Sequence, residues 1–206
     1  MLLTLARAPN AIALVAAAFS AVLAGAGLPG GRVLGVPCDE SFALPLTGLL
    51  KALKKRVRWM ALANPNNPTG TTISKKNLAA LLRAAPQTLV LADEAYFDFC
   101  GETVLGWIRK FENLVVTRTF SKAFGLAALR MGCIFANAEL AENLRRAQNP
   151  FVVNSLAVAC ACEAVCAFDT VDERSTAATH STIARRGGVT AEGFSRSAAI
   201  VSNMDV

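Results

Sequence analysis

The sequence predicts an α/β fold, a largely parallel sheet with flanking helices. Three observations predict it. Short runs that are apolar on both faces recur along the chain, such as residues 57–63 (VRWMALA) and 89–92 (LVLA), and strands of that kind belong to sheets covered on both sides. Segments with helical apolar spacing separate these runs. The chain of 206 residues is 53% hydrophobic and 17% charged, the content of a packed core and not of a disordered or polyelectrolyte segment. Its net charge of +6 permits a polyanionic partner without demanding one. Six cysteines in a chain this long do not make a small disulfide scaffold; they read as reduced, mostly buried thiols of a cytoplasmic protein.

Taken in order, the first 31 residues hold one charged side chain, Arg7, and residues 11–28 hold none. Eighteen uncharged residues raise the question of a membrane span or leader, but the segment is rich in Ala and Gly and poor in Leu, so a buried or interfacial helix is expected. Gly25, Gly27, Pro29, Gly30 and Gly31 end it. Residues 32–36 form a short β-like run, followed by a turn at Pro37 and Asp39. Residues 44–53 have helical spacing and run into the basic cluster Lys51, Lys54, Lys55, Arg56 and Arg58, read as a cationic helix end favoured by the helix dipole. VRWMALA is a strand, Ser74 an N-cap for a helix through Leu78, Leu81 and Leu82, and LVLA a second strand. Residues 114–117 (LVVT) give a third strand and 134–136 a weaker fourth. Residues 151–168 read as a long apolar helix, and from Thr170 the chain turns polar and weakly patterned.

Three motifs sit at the carboxyl ends of these strands, where open α/β sheets place their ligands. Asn64-Pro65-Asn66-Asn67-Pro68-Thr69-Gly70 follows VRWMALA, Asp93-Glu94-Ala95-Tyr96 follows LVLA, and Thr119-Phe120-Ser121-Lys122 follows LVVT, with Arg130 eight residues further on. Each alone has an ordinary explanation as a turn, a helix cap or a surface pair. Together they deliver an amide, a carboxylate with a phenol, and a lysine with an arginine to one sheet edge. A lysine there can form a Schiff base with an aldehyde. A carboxylate can keep a pyridine nitrogen protonated, so that the ring becomes an electron sink. An amide and a phenol can hydrogen-bond a ring oxygen, and an arginine with hydroxyls can hold a phosphate. Pyridoxal 5'-phosphate carries all four of those groups.

With these residues the sequence resembles the fold-type I, class I/II pyridoxal-phosphate-dependent aminotransferases. NPNNPTG, DEAYFDF and TRTFSKAFGLAALRMG look most like the histidinol-phosphate aminotransferases, over residues 19–159. The resemblance implies that Lys122 is the Schiff-base lysine and the acid/base of the proton shift. It also implies that Asp93 pairs with the pyridinium in a low-dielectric site, that Asn67 and Tyr96 contact the ring oxygen, and that Arg130, Ser121 and Thr119 bind the phosphate. The reaction implied is amino transfer between histidinol phosphate and 2-oxoglutarate, with a small-molecule amino donor and a 2-oxo acid as partners and a homodimer as the full-length assembly. Family members are nearly twice this length. The chain is therefore expected to be a large domain truncated at both ends, with residues 1–170 its cofactor-binding part and 171–206 the start of a C-terminal small domain. Within the same family another aminotransferase or a phosphothreonine decarboxylase is the alternative, and outside it a non-catalytic remnant.

Cys160, Cys162 and Cys166 look metal-like, yet 160 lies off the helix face that 162 and 166 share, and no second Cys/His pair follows. All six cysteines, including Cys38, Cys100 and Cys133, are expected to be core thiols and no metal is expected. His180, the only histidine, is expected to be a solvated helix residue, and a hydrolase triad has no support. The basic cluster with Trp59 alone makes no stacking platform, so neither nucleic acid nor membrane is expected as a partner.

Overall fold

The computed structural model describes residues 11–15, 32–147, 153–175 and 198–202. These form a seven-stranded sheet: β1 (Ala11–Val15), β2 (Arg32–Gly35), β3 (Trp59–Ala63), β4 (Leu89–Asp93), β5 (Leu114–Thr119), β6 (Met131–Phe135) and β7 (Ala198–Ser202), in the order β2-β1-β3-β4-β5-β6-β7. Pairs β1–β2, β1–β3, β3–β4 and β4–β5 are parallel, whereas β5–β6 and β6–β7 are antiparallel. The expected sheet is thus present and mostly parallel. Its antiparallel member follows from a short connection: residues 120–130 hold only a 3-10 turn (Ala127–Leu129), too little chain for a helical crossover.

Every side chain of β3 (WMALA) is buried, as a strand apolar on both faces requires, and β4 alternates buried with half-buried. Helix α1 (Leu46–Leu53) turns Leu49, Ala52 and Leu53 inward and ends in the expected basic turn. Helix α2 (Lys75–Ala84) starts where Ser74 Oγ accepts from Asn77 N at 3.3 Å, and it buries Leu78, Ala79, Leu81 and Leu82. The core gathers Leu49, Met60, Leu62, Leu78, Leu81, Val90, Leu114 and Val116. One short helix, α3 (Phe97–Cys100), follows β4, and α4 (Ala138–Ala147) and α5 (Ser155–Ser175) follow β6.

Two expectations are corrected. Residues 11–15 form a strand between β2 and β3, and not the start of a helix: an uncharged apolar run does not choose between the two by periodicity, and pairing on both sides decides it. Residues 16–31, with the glycines that were to end that helix, lie outside the described residues, as does His180. Helix α5 runs through residues 170 and 171, and Ala198–Ser202 extends the sheet. Among the six cysteines only Cys133 is buried; Cys38 and Cys160 are half-buried, and Cys100, Cys162 and Cys166 are exposed. The reason is helical phase: Ala157 and Ala161 turn α5 toward the core, which leaves 162 and 166 outside. Among the described residues there is no metal-ligating cluster, and no helix long and apolar enough to cross a membrane.

Candidate active site

The sheet register assembles the site. Asp93, last in β4, lies opposite Thr117 of β5. Its Oδ1 accepts from Thr117 Oγ1 at 3.0 Å and from Ala95 N at 3.2 Å. Burial pushes the Asp93 carboxyl above its ordinary value, against the opposing pull of the Thr117 hydroxyl and the Ala95 N–H; the Glu94 charge adds to the rise and the Lys122 amine opposes it.

Beyond β3 the polypeptide folds into a tight turn and returns. Asn64 N donates to Asp93 O at 2.9 Å, and Asn64 Oδ1 accepts from Ile73 N at 2.7 Å, which closes the intervening loop on itself. Inside the loop Gly70 N donates to Asn66 O, with Gly70 at φ +69, a left-handed conformation that favours glycine. The loop projects Asn67, whose Nδ2 donates to Tyr96 Oη at 2.9 Å. Tyr96 stands at the start of α3, and Lys122 Nζ lies 5.2 Å from its ring centroid. The loop carrying Lys122 is braced by Ser121 N donating to Thr119 Oγ1 at 3.1 Å, Gly125 N to Lys122 O at 3.0 Å and Leu126 N to Phe120 O at 3.0 Å. Thr119 Oγ1 also donates to Met131 O at 3.5 Å. Arg130, at φ 52, ends the 3-10 turn just before β6 and donates from Nη1 to Ala127 O at 3.0 Å. Because Thr119 pairs with Gly132 and Phe120 N donates to Met131 O, the antiparallel register carries Arg130 to the level of Ser121.

Asn67, Asp93, Tyr96 and Lys122 thus come together, with Thr119, Ser121 and Arg130 at the adjacent strand end. Asn67, Lys122 and Arg130 are exposed, and Asp93 and Tyr96 are half-buried. Sequence reasoning missed Thr117, Glu94 and Arg118. The signal for Thr117 was available, since aligning LVLAD with LVVT places it beside Asp93. Glu94 and Arg118, one residue further along each strand, form a buried ion pair on the other side of the sheet.

Fold and site together define an open α/β protein that gathers an amine, a carboxylate, an amide and a phenol at the carboxyl ends of its parallel strands. The family model of aminotransferase class I and II matches residues 1–197, and the chain belongs to that family. A histidinol-phosphate aminotransferase 1 of Nitrosococcus oceani is 41% identical over 141 residues, which is 66% of this chain and 38% of that enzyme. The crystal structure of histidinol-phosphate aminotransferase from Sinorhizobium meliloti in complex with pyridoxal-5'-phosphate superposes with a TM-score of 0.67 and 28% identity, over 80% of this chain and 46% of that one. The corresponding enzyme from Clostridium acetobutylicum gives 0.69 at 25% identity, over 76% and 48%. The chain therefore spans less than half the length of these relatives.

Proposed function

We propose that the chain binds pyridoxal phosphate and serves amino transfer, most like that between histidinol phosphate and 2-oxoglutarate. The observation that carries the reading is the meeting of Asn67, Asp93, Tyr96 and Lys122 at one sheet edge. The donor set fits the group. Burial makes the Asp93 carboxylate costly when it stands alone, and a cation beside it offsets that cost; a protonated pyridine is such a cation. The Asn67 amide and the Tyr96 hydroxyl, already bonded to each other, form a polar pair for a ring oxygen. Ser121, Thr119 and Arg130, at the adjacent strand end, offer two hydroxyls and a guanidinium to a phosphate.

Pyridoxal phosphate supplies an aldehyde that condenses with amines and a ring that accepts electrons. Lys122 Nζ would hold the group at its aldehyde end, and the same amine would move the proton at the substrate Cα. Asp93 would hold the proton on the ring nitrogen, and Tyr96 and Asn67 would orient the ring through its oxygen. A small-molecule amino donor, a 2-oxo acid and a homodimeric assembly go with this reading, and the names of the Nitrosococcus and Sinorhizobium enzymes support its substrate and cofactor. Free thiols in a chain of this composition support a reducing compartment, the cytoplasm.

Titration of the purified protein with pyridoxal phosphate, followed by visible absorbance, tests the reading. The expected result is a saturable band that is lost in Lys122→Ala, with apparent affinity at least ~tenfold weaker. Equal binding by the two proteins would overturn it.

A further inference from the structure

On the sheet face turned away from Asp93 and Thr117, the next residue of each strand makes a second cluster. Arg118 donates to Glu94 Oε2 from Nε at 3.1 Å and from Nη2 at 3.0 Å, and Nη2 also donates to Thr103 Oγ1 at 2.8 Å. Glu94, only 1% exposed, accepts as well from Thr103 Oγ1 and from Val104 N at 2.8 Å, so its carboxylate is fully engaged. The guanidinium stacks on the Phe97 ring, 3.6 Å from carbon to centroid. Glu94 and Phe97 are the two ends of one turn, closed by Phe97 N donating to Glu94 O at 3.0 Å, and the residues between them are Ala95 and Tyr96. A single planar side chain therefore grips both ends of the segment that presents Tyr96.

We propose that Arg118 is a positioning residue: by clamping Glu94 and Phe97 from behind the sheet, it fixes where Tyr96 offers its hydroxyl to Asn67 and its ring to Lys122. Its consequence for cofactor affinity rests on the function proposed above, while its consequence for Tyr96 does not. Lysine in its place would keep the charge but lose both the two-pronged bond and the stacking. Phe97→Leu would remove the stacking partner and keep apolar bulk.

Tyr96 is the only tyrosine in the chain, so protein grown with fluorotyrosine gives one fluorine resonance from the site itself. In Arg118→Lys and Phe97→Leu that resonance is expected to shift or split without any cofactor present, and the pyridoxal phosphate dissociation constant to rise about tenfold in Arg118→Lys. Ser74→Ala, which weakens a remote helix cap, is expected to lower the melting temperature and leave the resonance in place. A resonance unmoved in Phe97→Leu, and in Arg118→Lys where that variant folds, would overturn the proposal. Failure of the wild-type protein to bind pyridoxal phosphate, with the fluorine shifts intact, would instead count against the function alone.

Discussion

Asp93 shows how one side chain can be arranged against its own charge. Burial raises its carboxyl above the ordinary value of 3.8, so the folded chain without cofactor binds that proton more tightly than the unfolded chain does. Its contribution to stability is therefore complete below 3.8 and is lost as pH climbs from there through the raised value. Asparagine keeps the acceptor for Thr117 Oγ1 and Ala95 N while removing the titration. Asp93→Asn is accordingly expected to melt higher than the wild type in cofactor-free protein above that window, with the difference vanishing at acid pH, and to lose pyridoxal phosphate binding. Melting curves across the pH range, with and without cofactor, check both halves. At this scale the residues proposed to face the cofactor were legible, because Asn67, Asp93, Tyr96 and Lys122 each stand at or just beyond the end of a recognisable strand. Thr117, Glu94 and Arg118 were not, because their roles exist only once β4 and β5 are set side by side.

The elements that position the site are β3, β4 and β5, all visible as apolar runs, and the hairpin-like return from β5 to β6, which was not. That return depends on Gly132. A Cβ there would lie 2.7 Å from the Arg118 carbonyl oxygen, a backbone atom that cannot swing aside. Gly132→Ala is expected to cost about 1–3 kcal/mol, the range for overpacking a tight contact, and to disturb the Lys122 loop at the end of the strand pair. Denaturant unfolding measures the first, and comparison of its midpoint with that of Ser74→Ala separates a strand-pairing defect from a helix-cap loss of about 1 kcal/mol. Elements without a sharp pattern were the ones misread. The run over residues 11–15 is apolar in every frame. The thiols of α5 were assigned by residue type, whereas helical phase puts Cys162 and Cys166 outside.

Across the whole molecule the sheet is a frame that brings residues 67 to 130 to one edge. The parallel strands β3, β4 and β5 deliver the amide, the carboxylate and the amine in chain order, and the antiparallel β6 brings Arg130 back beside them. Fold class and the site's edge were readable because parallel strands in sequence order need no knowledge of tertiary detail. The pairing of β7 on the far side of β6 needed such knowledge, since residues 198–202 offer only a short apolar run in a polar tail. The central claim is that this edge gathers Lys122 with Asp93 and Tyr96 around one ring. Borohydride reduction of the protein with pyridoxal phosphate, followed by peptide mapping, tests it most directly. A single pyridoxyl adduct on Lys122 is expected, lost in Lys122→Ala and weakened in Asp93→Asn. A label spread over the exposed lysines Lys51, Lys54 and Lys55, with none on Lys122, would contradict it.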